Sequence, residues 1–349
     1  MSATPIVSVI IAAFNAQKWI SMSIASAQNQ TLREIEIIVV DDGSSDDTAE
    51  VVAGMAGCDD RVSLIRQRNA GVGAARNAGI SSAKGIFIAP LDADDVWEPE
   101  KLERQLMSMK ERGDRTALVY CWHRWIDENG FALGYQSNTI VQGDARKAIL
   151  LRNFIGNASV PLFRARAIKR VGPYLTRDEQ GGGQGCEDWD LSIRMAERWE
   201  VGLVSEVLVN YRQSNECMSS QVASMAKSYQ VVMDLARARN RDLPENLFRW
   251  AEGHFQSYLV SKGYDGCDYP SCINAAIRAM MSDPLLILNR RLHELTLKSL
   301  IWLATGKRRS LPDRNSAESS SPAESNTRHR RISLIEKIQQ RRWAEVIAS

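Results

Sequence analysis

The feature that most narrows the fold is a regular alternation, in the first hundred residues, of β-rich apolar runs with segments of helical spacing. Residues 7–13 (VSVIIAA) form an unbroken apolar and β-branched run, the pattern of a strand buried on both faces. Ile20, Ile24 and Ala27 then recur at helical spacing, and residues 35–40 (IEIIVV) form a second buried strand that ends in Asp41-Asp42-Gly43. Residues 44–48 can cap the helix that follows. Residues 62–65 read as a short third strand, 71–83 as a helix and 85–90 as a fourth strand. Pro99 suits the first turn of a helix with Leu102, Leu106 and Met109 on one face. Strands alternating with helices of this length imply βαβ units and a parallel sheet. Ligands of such sheets sit beyond the carboxyl ends of the strands, where this sequence places Asn15, Asp41-Asp42 and residues 91–95 (LDADD).

Beyond residue 115 the pattern changes. Segments 116–127 and 131–136 flank Asn129-Gly130, a hairpin signal. A Gly-rich stretch, 181–185, reads as a loop, and leads into residues 186–191 (CEDWDL), which open a helix. Residues 201–211 return as strand, and 219–305 read as helical. Residues 306–331 have the Ser/Pro-rich, aromatic-free composition of a disordered linker, and 332–349 of a short amphipathic tail helix.

Charge is unevenly placed. Residues 306–349 hold ten basic and five acidic side chains, a net of +5, whereas the first 305 residues hold 34 basic and 37 acidic, a net of −3. A mildly acidic body excludes the basic patch of a nucleic-acid enzyme, so no nucleic-acid partner is expected. The basic tail, with the amphipathic segment near 285–305, suits an anionic membrane surface, which predicts a cytoplasmic protein with peripheral contact at the inner face of the cell membrane. A helix packed on the catalytic domain is the plainer reading of 285–305. No uncharged apolar run reaches the ~18 residues of a membrane span, and the first fifteen residues read as a strand rather than a signal peptide. Six scattered cysteines without a CxxC pair read as reduced thiols.

Three acidic clusters lie at the ends of these segments: Asp41-Asp42, Asp92-Ala93-Asp94-Asp95 and Glu187-Asp188. Each alone is an ordinary turn or cap. Carboxylates gathered at one sheet edge repel one another unless a positive charge sits among them, and a divalent metal carrying a phosphate meets that need with hard oxygen ligands. The four histidines are isolated and offer no competing metal site.

The segments VSVIIAAFN (7–15), IEIIVVDDGSSDDT (35–48), NAGVGAARNAGISSAKG (69–85), LDADD (91–95) and CEDWDL (186–191) occur in the order found in glycosyltransferase family 2, and over about residues 5–215 the chain resembles that family. The resemblance implies a GT-A fold, a Rossmann-like mixed sheet flanked by helices, over 1–218. It implies an inverting transfer of a hexosyl group from a nucleotide-diphosphate sugar, a UDP-sugar, to a glycan or lipid-linked acceptor, in surface polysaccharide synthesis, with Mn2+ or Mg2+ as cofactor. Ala12, Phe14 and Asn15 would then line the nucleotide pocket, Asp42 hold the base, and Arg76 lie near base or phosphates. Asp92 and Asp94 match the Asp-x-Asp pair, with Asp94 the direct metal ligand and Asp92 nearer the ribose. Asp188 matches the catalytic base, with Glu187, Trp189 and Asp190 on the acceptor side.

Two departures stand out. Relatives often read Tyr-Arg-x-His after the last strand, where this chain has Tyr211-Arg212-Gln213-Ser214, and some carry a hydroxyl residue in place of Ala12. Two other readings compete. A nucleotidyltransferase would want a Gly-rich, basic triphosphate loop after the first strand, which is missing. A silent nucleotide-sugar-binding scaffold would be expected to lack one of the acidic clusters, and all three are kept. Gly71-Val72-Gly73 lacks the third glycine of a dinucleotide fingerprint and follows the wrong strand. Trp122, Trp125, Trp189 and Trp199 are candidates for stacking on sugars, or for core packing.

Overall fold

The computed structural model describes residues 4–214, 221–306 and 334–348, which fall into two compact units, Met1–Pro244 and Glu245–Ser349. The first unit opens with β1 (Val7–Ala13), α1 (Ile20–Gln28), β2 (Ile35–Asp41), α2 (Thr48–Ala56), β3 (Val62–Arg66), α3 (Val72–Ser82), β4 (Phe87–Asp92), β5 (Val96–Trp97) and α4 (Lys101–Glu111). It continues with β6 (Thr116–Ile126), β7 (Ala132–Gln136), α5 (Arg146–Leu151), β8 (Leu162–Arg164), α6 (Ala165–Val171), α7 (Glu187–Ala196), β9 (Glu200–Arg212) and α8 (Val222–Arg239).

Among the described residues the strands form one sheet in the order β3-β2-β1-β4-β8-β6-β9-β5, with β7 attached to β6. The apolar runs occupy its centre, as their composition requires: Val7, Val9, Ile10 and Ile11 of β1 are shielded on both faces. Strands β3, β2, β1 and β4 are parallel. Beyond β4 the direction changes, with β8 antiparallel to β4 and β6, β9 parallel to β6, and β5 antiparallel to β9. The register aligns Ala13 with Asp41 and Ala12 with Asp92, so three parallel strands end at one level. All the acidic motifs of the first hundred residues therefore rise from one edge.

Glycine is required where α3 begins. Gly71 sits at φ +90°, and a Cβ on Gly73 would meet the main-chain oxygen of Leu175 at 2.1 Å. These residues thus serve a tight approach between two loops, not a dinucleotide phosphate.

The expected helical region 219–305 is helical where described. Helix α8 falls within the first unit, whereas α9 (Glu245–Asp265), α10 (Tyr269–Ser282) and α11 (Arg290–Thr305) belong to the second. Apart from Gly306, the expected linker 306–331 lies outside the described residues. The tail is helical over α12 (Leu334–Ala348), whose Arg342 pairs with the buried Asp283 at 2.5 Å and covers the Trp250 ring at 4.4 Å. No helix among the described residues is long and apolar enough to cross a membrane.

Candidate active site

The sheet edge divides into two halves. At the β1–β2 end, Asp42 is buried and its carboxylate shapes a loop. Oδ1 accepts from the Gln67 side chain at 2.7 Å and the Ala70 amide at 2.9 Å, and Oδ2 accepts from the Gly71 amide at 2.8 Å. Oδ2 takes a single donor and keeps a lone pair for a further N–H. Asn15 stands in the left-handed region at φ +49°, where its Oδ1 accepts from the Ser45 amide at 2.9 Å and its own amide donates to Ser44 Oγ. Ala16 and Thr48 make a parallel link, so the loops after β1 and β2 form one laced rim. Phe14 stands on that rim with 52% of its surface exposed. Ala12, one strand position in, pairs with Asp92 across the sheet.

At the other half, Arg76 from α3 is buried between two carboxylates. Its Nη1 donates to Glu187 at 2.7 Å and its Nη2 to Asp92 at 2.7 Å, with the Tyr174 ring 5.3 Å away beneath the guanidinium. Burial works against this charge, but Asp92 and Glu187 outweigh it and keep the group protonated. One cation thereby fastens the Asp-x-Asp segment to the start of α7, segments separated by about ninety residues of chain. Both guanidinium arms of Arg76 are thus engaged by carboxylates of the acidic centre.

Asp188 follows Glu187 in the first turn of α7. Burial, then the charges of Glu187 and Asp92, push its carboxyl up to about 7 against the opposing pull of Arg76. A carboxyl at that value is poised to accept a proton near neutrality. Asp94 is likewise pushed up to about 7, first by burial and then by Asp92. Its carboxylate makes no ion pair among the described residues, and the neighbouring Arg212 donates instead to the Asp94 main-chain oxygen at 2.8 Å. Two hard carboxylates close together, of which Asp92 is paired with Arg76 and Asp94 is not ion-paired among the described residues, are a donor set suited to a divalent cation. No group of three His, Cys, Asp or Glu residues among the described residues is arranged to hold a metal ion, so such an ion would draw its other oxygens from substrate or water.

Asp95 is the latch beneath this pair. It is completely buried and accepts from Asn157 Nδ2 at 2.5 Å, Ser159 Oγ at 2.6 Å and the Arg212 amide at 2.9 Å. Burial, with Asp94 and Asp92 nearby, raises its carboxyl well above the ordinary range. The Ser159 carbonyl also accepts from Trp97 Nε1 at 2.9 Å, and its Oγ, while donating to Asp95, accepts from the Asp92 amide at 2.9 Å. Arg212 extends the brace: Nη1 donates to the main-chain oxygens of Asp127 and Glu128 at 2.8 and 2.9 Å.

Three expected acceptor-side residues have other duties. Glu187 is buried against Arg76 and receives the Gly185 amide at 2.9 Å. Trp189 is buried, with its Nε1 donating to the Ile149 carbonyl at 2.7 Å and its ring beside Tyr229 at 5.6 Å, so it is a core residue and no sugar platform. Asp190 is fully buried and pairs with Arg194 at 2.7 Å, which in turn holds the carbonyls of Val171, Gly172 and Pro173. Sequence reasoning missed Asn157, Ser159 and Tyr174 as supports of the site, and gave Asp95 only as a member of the acidic cluster.

The family model for glycosyl transferase family 2 matches residues 8–171. An uncharacterized glycosyltransferase of Rickettsia typhi is 37% identical over 233 residues, which are 66% of this chain and 70% of that protein. A hyaluronan synthase of Pasteurella multocida is 37% identical over 209 residues, 59% of this chain and 20% of that protein. The chain spans about a third of the length of the first curated relatives it matches. In structure it is similar to residues 1–349 of TarS from S. aureus in complex with UDP-GlcNAc, with a TM-score of 0.61 and 19% identity, covering 86% of this chain and 92% of that one. That likeness is one of fold, and the fold is GT-A.

Proposed function

Because the chain belongs to glycosyltransferase family 2 and is therefore a glycosyltransferase, we propose that it transfers a hexosyl group, with inversion, from a UDP-sugar to a glycan or lipid-linked acceptor in surface polysaccharide synthesis. The observation that carries this reading is the Arg76 bridge, because it ties Asp92 of the Asp-x-Asp segment to Glu187, the residue before Asp188. In a single displacement the acceptor oxygen attacks the anomeric carbon, the bond from that carbon to the diphosphate oxygen breaks, and the diphosphate leaves with the electron pair. Asp188 takes the acceptor's proton. No side-chain nucleophile is needed. Phe14 stacks on the base, Asp42 Oδ2 receives its imide N–H, and the Asn15 rim encloses the nucleotide. Asp94, with Asp92 beside it, would hold Mn2+ or Mg2+. When bound, such an ion supplies positive charge against the departing diphosphate.

A thermal-shift panel of nucleotide sugars with and without manganese tests the reading. A UDP-sugar should raise the melting temperature, more so with manganese, and Asp94→Ala should remove the manganese-dependent part. A panel in which no nucleotide sugar shifts the wild-type protein overturns the proposal.

Peripheral contact with an anionic membrane is part of the same proposal. The last turns of α11 expose Leu297, Leu300 and Ile301 at 59%, 47% and 52%, and positions three and four residues beyond Leu297 share its helix face. The basic stretch Lys307-Arg308-Arg309 follows at once in the sequence. Such a face with flanking cations suits an anionic interface. Flotation with phosphatidylglycerol vesicles should recover the protein at low salt, and Leu300→Glu with Ile301→Glu should release it. Equal recovery of the variant, or none of the wild type, counts against membrane contact.

A further inference from the structure

We propose that the aromatic cluster on β6, β7 and β9 is the subsite for the acceptor's sugar ring, which makes the acceptor a glycan rather than a bare lipid phosphate; this rests on the transferase reading above. Sheet register builds the cluster. Trp125 pairs with Tyr211 across β6 and β9, and Arg124 pairs with Gln136 across β6 and β7. Alternation then sets His123, Trp125, Tyr135 and Tyr211 on one face. Their rings touch in sequence: Trp125 and Tyr135 at 4.2 Å and 30°, His123 and Tyr135 at 5.9 Å, His123 and Tyr211 at 6.0 Å edge-on. His123 forms the buried floor, pressed so close to Gly156 that a Cβ there would come within 2.5 Å of the ring. Burial lowers its pKa to about 4, so the floor is an uncharged imidazole at neutral pH.

The outer edge, in contrast, is open. Tyr135 is 42% exposed and Phe131, at the turn of the hairpin, 72%. A row of aromatic rings that runs from the buried His123 to Tyr135 on the exposed strand β7 brings an apolar face bordered by polar groups, which matches the C–H face and hydroxyl rim of a pyranose. An isoprenoid tail would instead want a closed apolar groove, and all of β7 faces water.

Contact with the supports of the catalytic loop determines the position. The His123 ring packs on Gly156, and the next residue, Asn157, donates to the Asp95 carboxylate at 2.5 Å. From the other face of β9, Arg212 holds the Asp94-Asp95 turn and the carbonyls of the hairpin turn. Lys18 pairs with Glu128 of the same turn at 2.5 Å, from the rim beside Phe14. The hairpin is thus clamped to the edge where the donor sugar would lie, and its rings replace Trp189 as the sugar platform.

The test is a titration followed by saturation-transfer NMR, with cellohexaose and chitohexaose as probes and polyprenyl phosphate in micelles as the contrast. The wild type should bind a saccharide, Tyr135→Ala should weaken it about tenfold, and Tyr135→Phe should retain it, since the ring and not the hydroxyl stacks. Tyr135 is half-exposed on an edge strand, and unchanged melting temperatures of both variants will confirm their folding. Unchanged thermal shifts by the UDP-sugar in all three proteins separate this subsite from donor binding. Equal saccharide binding by Tyr135→Ala, no saccharide binding by the wild type, or loss of polyprenyl phosphate binding alone overturns the subsite while the donor shift stands. Failure of the donor shift itself would overturn the transferase reading instead.

Discussion

Asp188→Asn is expected to lower the transfer rate about a thousandfold while the thermal shift given by a UDP-sugar stays as in the wild type. The amide is the same shape as the carboxyl, and its oxygen can still accept from the Trp189 amide, a contact of 2.7 Å in the native chain. What it cannot do is take a proton. The pH profile carries a second, independent expectation. Burial, with Glu187 and Asp92 close by, holds the Asp188 carboxyl at about 7, so below that pH the group is protonated and without function as a base. Turnover of the wild type at saturating donor and manganese should therefore rise with pH through about 7 and level off above it, and the residual rate of the variant should lack that limb. Asp94 titrates in the same range when no cation is present, which is why the measurement is made with manganese saturating. Normal turnover by Asp188→Asn would remove Asp188 as the base.

How much of this was legible in the sequence depends on what each residue answers to. The run VSVIIAA needs apolar surroundings on both faces, which only a central strand supplies, and β1 is central. Asp42, Asp92 and Asp94 could be placed because a parallel sheet presents its strand ends on one edge. Trp189 and Asp190 were misplaced for a reason that helix geometry explains. Positions one and two after Asp188 are rotated by about 100° and 200° around the helix, so adjacency in sequence carried them into the core. Arg76 was seen as a motif residue, but its partners lie 16 and 111 positions away, and hydrophobic periodicity is silent about partners. Asp95 depends on Asn157 and Ser159, in a connection with no periodicity of its own. The missing His after Tyr211-Arg212 drew attention to an absence, whereas the structure shows what the neighbouring Arg212 does: its backbone and side chain hold the Asp94-Asp95 turn.

Arg76→Ala is expected to cost about 3–5 kcal/mol, the range for removing one partner of a buried ion pair, and to lower the melting temperature by about 10 °C. The loss comes from what remains. Glu187 is buried, Asp92 faces the same space, and Asp188 adjoins both, so three carboxylates would share a cavity without their cation. Arg76→Lys should recover little, because one ammonium cannot reach two carboxylates on opposite arms of a planar fork while lying over the Tyr174 ring. Arg76→Met combined with Glu187→Gln should be more stable than Arg76→Met alone, since the second change removes one of the stranded charges. The base itself reports on the bridge. Arg76 is the cation that pulls the Asp188 carboxyl down, so in any Arg76 variant that still turns over, the rising limb of the pH profile should move to higher pH. A variant that melts like the wild type and keeps its pH profile would mean that the Asp-x-Asp segment and α7 do not depend on a shared cation, and the single site built on that contact would lose its foundation.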